Sequence, residues 1–76
     1  MGKLPIVSGA RTVRVFESLG WVKARQSGSH VILTKEGSIS TLSVPLHSTL
    51  AKGTLRTLIQ ASGISVDQFV GAERRA

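Results

Sequence analysis

Trp21-Val22-Lys23-Ala24-Arg25-Gln26-Ser27-Gly28-Ser29-His30-Val31-Ile32-Leu33-Thr34-Lys35 is the stretch whose pattern settles the fold class. Two runs rich in β-branched and apolar residues, Trp21 to Gln26 and His30 to Lys35, flank Ser27-Gly28-Ser29, a small polar connection of hairpin length. A second such connection, Glu36-Gly37-Ser38, leads into a third run from Ile39 to Val44. The pattern predicts a three-stranded antiparallel meander. Pro45 has no amide proton to give a continuing strand, so the third strand is expected to stop near Val44, with Leu46 to Ala51 as a connection.

Helical signals lie on either side. Ser8 precedes Gly9 to Leu19, in which Val13, Phe16 and Leu19 recur every third position, and Gly20 stands where a helix favours a left-handed residue. A second helix is expected to begin near Gly53: Leu55, Leu58 and Ile59 share one face, Arg56, Thr57 and Gln60 lie elsewhere, and Gly63 ends the run. Ser65 and Gln68 have capping-box spacing, flanked by Ile64 and Phe69, which predicts a short last helix over Val66 to Gly71 with a frayed tail from Glu73 to Ala76. The expected fold class is therefore α+β. Its order is helix, three strands, helix and a short C-terminal helix, with one face of the sheet covered and the other available.

With 76 residues, no repeat and no linker, the chain reads as one domain over 1–76, with a thin core that buries about 60% of the unfolded surface. A hydrophobic fraction of 41% with 18% charged residues suits a globular protein. The absence of cysteine removes disulfides, zinc-thiolate sites and thiol nucleophiles. No apolar run approaches the roughly 18 residues of a membrane span, and no basic-then-apolar leader opens the chain, so the expected location is the cytoplasm. Ten Lys and Arg against four acidic residues give a formal charge of +6. So small a body then has a positive field that favours an anionic partner, nucleic acid being the commonest. A P-loop, a dinucleotide fingerprint, paired carboxylates and a cluster of metal ligands are all missing, which leaves nucleotide-dependent chemistry without support and predicts no cofactor and no metal.

Only His30 and His47 belong to the residue type that exchanges protons near neutral pH, so acid-base chemistry is sought there first. His30 follows Ser27-Gly28-Ser29, where a glycine turn lets a phosphate backbone approach closely and leaves amide protons free. RNA carries its own nucleophile in the 2′-hydroxyl, so an imidazole with nearby Lys or Arg can suffice. The plainer reading of His30, a strand-opening residue that faces solvent, is the commoner case for a lone histidine. His47, just past Pro45, reads first as a loop residue, with a second acid-base or phosphate-contact role as the alternative. Lys52-Gly53-Thr54-Leu55-Arg56 offers a lysine, a bare turn and a hydroxyl at a helix N-terminus, where orphan amides attract phosphate; a helix start capped by Thr54 reads equally well. Lys23 and Arg25 are expected to share one strand face by parity, together with Trp21, as either an RNA-facing strip or a solvated edge. Trp21 reads as core rather than as a stacking platform.

Four stretches in order, Leu4-Pro5 with Ser8-Gly9, Leu19-Gly20-Trp21, Arg25-Gln26-Ser27-Gly28-Ser29-His30, and Val44-Pro45-Leu46-His47 continuing to Lys52-Gly53-Thr54-Leu55-Arg56, resemble the HicA, or YcfA-like, family of toxins. The likeness runs on through Gly63 to Phe69. Its most specific piece is the string Arg-Gln-x-Gly-Ser-His at 25–30, seen together with the later Lys-Gly-Thr-Leu. Ala10 and Arg11 depart from a frequent lysine-acidic pair, and Leu46 replaces a common valine; neither change touches the histidine motif. The resemblance implies a fold like the double-stranded-RNA-binding domain, metal-independent endoribonuclease activity on mRNA, and a HicB-like antitoxin as protein partner. It carries the catalytic histidine onto His30, with Gly28 and Ser29 as its motif neighbours. It assigns no duty to Lys52, Thr54 or Arg56, which stay phosphate contacts inferred from the helix terminus. Two other readings stand beside the toxin nuclease: a non-catalytic RNA-binding module of the same fold, and an interaction protein whose basic surface meets an acidic partner.

Overall fold

A computed structural model describes residues 3–76, leaving Met1 and Gly2 outside the described part of the chain. The elements are α1 (Gly9–Ser18), β1 (Val22–Ser27), β2 (His30–Thr34), β3 (Leu42–Pro45), α2 (Lys52–Ser62) and α3 (Val66–Arg75). The strands form one antiparallel sheet in the order β1-β2-β3.

Helix α1 starts where its cap makes it start. The Ser8 hydroxyl accepts the Arg11 amide at 3.0 Å, and Gly20, at φ 100°, follows the last turn in the left-handed region open to glycine. On β2, Val31 and Leu33 are buried while His30 is exposed and Ile32 and Thr34 are intermediate; on β3, Leu42 and Val44 are buried and Ser43 is exposed. This period of two puts one face of the sheet under the helices and leaves the other bare. The core joins those four strand residues to Val13, Val15 and Phe16 of α1, Leu55, Leu58 and Ile59 of α2, and Phe69 and Ala72 of α3. Trp21 is 2% exposed and meets Phe16 edge-on at 6.4 Å, so its place in the core is as expected.

Several boundaries shift by one residue from the sequence-based expectation, and the differences at β3, α2 and α3 have identifiable causes. The third strand begins at Leu42 rather than Ile39. Gly37 turns at φ 86°, Ser38 donates its amide to the Lys35 carbonyl, and the Ser40 amide donates to the Ser38 hydroxyl, so local serine bonds take the backbone out of the ladder and Ile39 stays in solvent. Helix α2 begins at Lys52 with Ala51 as its N-cap, which makes no side-chain cap bond; Thr54 lies inside the first turn and does not cap. Helix α3 does not stop at Gly71 but reaches Arg75. Ser65 and Gln68 form the expected capping box, and beyond Gly71 the buried Ala72 and the Arg11–Glu73 pair hold the next turn. The expected frayed tail is thus ordered helix: the Arg11 guanidinium donates to the Glu73 carbonyl at 2.7 Å and to its carboxylate at 3.3 Å. No helix among the described residues is long and apolar enough to cross a membrane.

Candidate nucleic-acid interface

The site is built at one end of the molecule, around the β1–β2 turn. Ser27 and His30 are register partners, so Gly28 and Ser29 form a two-residue loop. Gly28 takes φ 59° and Ser29 does not share a positive φ, the pattern of a type II′ turn, whose first central position glycine fills without strain. Gln26 braces the loop by donating from Nε2 to the Gly28 carbonyl at 3.1 Å. A Cβ on Gly28 would meet nothing within 4 Å, so the space over the turn is open.

His30 pairs across the sheet with Pro45, and just beyond that pair the Leu46 amide donates to the Ser29 carbonyl at 2.7 Å. The next residue, His47, accepts from the Gly9 amide at 2.9 Å through its carbonyl, and Leu50 donates to Val7 at 2.8 Å. These bonds tie the hairpin turn, the 45–50 connection and the start of α1 together, and α2 opens two residues after Leu50. Gly9 permits the junction: a Cβ there would overlap the Pro45 carbonyl oxygen and come within 2.8 Å of the Leu46 Cα. The structure therefore gathers Gly28, Ser29, His30 and the backbone of His47 into one corner. Both histidines are exposed, and among the described residues neither imidazole has a hydrogen-bond or ion-pair partner.

The basic residues divide. Lys23 and Arg25 do not share a face, contrary to the parity expectation, because a β-bulge at Ala24 interrupts the ladder: Lys23 pairs with the core residue Leu33, whereas Arg25 pairs with Ile32 of the bare face. Trp21 keeps parity with Lys23 and loses it with Arg25. Lys52 and Arg56 lie on α2, and together with Lys3, Leu4 and Val66 they line a recess of about 370 Å³. Thr54 lines a different recess, of about 460 Å³, with Ser43, Gly53, Thr57 and Leu58. The sequence reading missed Lys3, Gln26 and Gly9. Nothing in local spacing links Lys3 to residues some fifty positions later, but a glycine right after a capping serine, where the helix tolerates it poorly, is a signal for a close backbone approach. Among the described residues no group of three or more His, Cys, Asp and Glu side chains could hold a metal ion.

The comparisons with known proteins agree with this architecture. The sequence model described as HicA toxin of bacterial toxin-antitoxin matches residues 9–64, well over half of the chain. The chain belongs to the HicA toxin family. Among solved structures, a chain of a toxin-antitoxin complex from Streptococcus pneumoniae resembles this HicA-family protein with a TM-score of 0.67 and 29% sequence identity, over 76% of this chain and 98% of that one. No curated protein matches it. The α+β fold with three antiparallel strands flanked by helices thus agrees with the expected HicA architecture. The match ends at residue 64, so helix α3 lies beyond the stretch that defines membership.

Proposed function

We propose that this HicA-family chain is the toxin of a toxin–antitoxin pair, an endoribonuclease that cleaves mRNA in the cytoplasm by acid-base chemistry at His30. The observation that carries the reading is the exposed, unpartnered His30 imidazole next to the open turn at Gly28, on the same corner as His47. In the reaction a base takes the 2′-hydroxyl proton, the 2′ oxygen bonds to phosphorus, and the bond from phosphorus to the 5′ oxygen breaks. An acid returns a proton to that departing oxygen. The products are a 2′,3′-cyclic phosphate and a 5′-hydroxyl. His30 supplies one of the two proton transfers, and His47 is the candidate for the other. Charge on the phosphorane asks for cations, and Arg25, Lys52, Thr54 and Arg56, with the turn amides at Gly28 and Ser29, are the proposed phosphate contacts; Lys23, opposite Leu33 on the other face of the sheet, is not among them.

This route uses neither cofactor nor metal. A HicB-like antitoxin is the proposed protein partner, supported by the family match and by the description of the structural neighbour as a toxin-antitoxin complex. The deciding experiment incubates wild type and His30→Ala with labelled single-stranded RNA in EDTA and resolves the products on a denaturing gel. Cleavage by wild type alone is the expected result, with the variant still folded and still binding RNA. Intact RNA in both lanes would leave a non-catalytic RNA-binding module as the function, and equal cleavage would move the chemistry to another residue.

A further inference from the structure

The bulge at Ala24 sorts the two basic residues of β1 onto opposite faces, and His30 lies on one of those faces only. On β2 the buried side chains are Val31 and Leu33, so His30 shares the other, helix-free face with Ile32 and Thr34. Directly opposed residues of an antiparallel pair point to the same side, so Ser27, opposite His30, and Arg25, opposite Ile32, are on that face as well. Arg25 is then the diagonal neighbour of His30, at a spacing of about 7–8 Å between backbones, which a long side chain spans. Lys23, opposite Leu33, belongs to the helix-side face.

We infer that Arg25 holds the phosphate attacked at His30, that the RNA strand crosses the helix-free face of the sheet there, and that Lys23 has no part in that contact. Four features support it. Arg25 is exposed, and among the described residues its guanidinium has no hydrogen-bond or ion-pair partner, so the fork is available for a phosphate. A guanidinium can engage two phosphate oxygens at once and keep its charge throughout the reaction. The ladder runs without interruption from Ser27–His30 back to Arg25–Ile32, so Arg25 keeps the face of the histidine, and the bulge beyond it re-aims Lys23 to the other face. The bare face also leaves room for a strand of RNA beside Ser27 and Ser43, two small exposed residues. The helix-side cations Lys52 and Arg56 then contact phosphates elsewhere along the RNA.

The assignment rests on the ribonuclease reading for its chemistry but not for its geometry, and two measurements separate them. The first is single-turnover cleavage at saturating RNA by wild type, Arg25→Ala, Arg25→Lys and Lys23→Ala. Arg25→Ala is expected to slow the chemical step about 100-fold or more, the size of losing one donor to the developing charge. Arg25→Lys should regain part of that rate, and Lys23→Ala, on the other face of the sheet, should keep the wild-type rate. Equal losses for Lys23→Ala and Arg25→Ala would overturn the assignment. The second measurement follows backbone amide shifts on titration with a 2′-O-methyl oligonucleotide, which cannot cleave. Shifts at Arg25, Ile32 and Ser43 are expected. If wild type proves inactive but those shifts appear, the nuclease reading fails and the RNA-facing surface stands. Shifts confined to Lys23, Lys52 and Arg56, or no binding at low salt, would overturn the surface itself.

Discussion

Four residues of the string 25–30 have separate physical tasks in building the corner of the histidine. Gln26 braces the turn, Gly28 supplies the positive φ, the Ser29 carbonyl receives the Leu46 amide, and His30 opens β2 on the bare face. The type of each residue was readable from the chain, and a glycine between serines before a β-branched run reads as a turn wherever it occurs. The direction of Lys23 was not, because a single extra residue in the ladder reverses parity and no local residue type announces it. Gly9 provides the sharpest residue-level prediction. Gly9→Ala would drive a methyl into the Pro45 carbonyl, so the variant should lose about 1–3 kcal/mol, the usual cost of overpacking, seen as a lower urea midpoint with an unchanged slope. Its helix propensity would improve, so a neutral or stabilised variant would show that the 45–47 connection yields easily.

Among the elements, the three helix starts differ in how they satisfy their first amides. Helix α1 has the Ser8 hydroxyl and α3 has a complete capping box, both legible as Ser8 before Gly9 and as Ser65 with Gln68. Helix α2 has only Ala51, in extended conformation, followed by Lys52, so its first turn holds orphan amides and a positive charge with no acidic residue to balance them. Ala51→Asp should therefore stabilise the fold by about 1 kcal/mol, a rise of roughly 4–8 °C in Tm for a chain of this size. The same carboxylate would repel phosphate, so RNA affinity at low salt should fall while the melting temperature rises. A rise in Tm with unchanged affinity would take the start of α2 out of the RNA contact. The third strand shows a different limit on sequence reading. Ile39 belongs to a β-prone run, but the serine bonds at 38–40 satisfy the backbone locally and the strand waits until Leu42 can be buried.

For the whole molecule, α3 is where a thin core is completed. Phe69 is fully buried and stacks at a tilt on Phe16 at 5.4 Å, and Arg11 closes onto Glu73 across a separation of 62 residues. A chain ended after Ile64 would keep the whole stretch that matches the family but expose Phe16 and leave Arg11 without its partner. Removing a core phenylalanine alone costs about 3–5 kcal/mol, a large share of the roughly 5–15 kcal/mol that holds a small domain together. The truncated chain is expected to lose its cooperative urea transition and its near-ultraviolet circular dichroism; a transition within about 1 kcal/mol of the full chain would show α3 to be an accessory. Periodicity, caps and turn glycines are short-range properties, so the order of helices and strands, the hairpin at Gly28 and the candidacy of His30 could all be read along the chain. That Lys23 and Arg25 take opposite sides of the sheet, that the backbone of His47 joins the corner of His30, that Lys3 lines one recess with Lys52 and Arg56, and that the last turn of α3 is ordered depend on contacts between distant residues. Those follow from how the ladder register, the bulge and the burial of Phe69 are satisfied together, and no single segment contains that information.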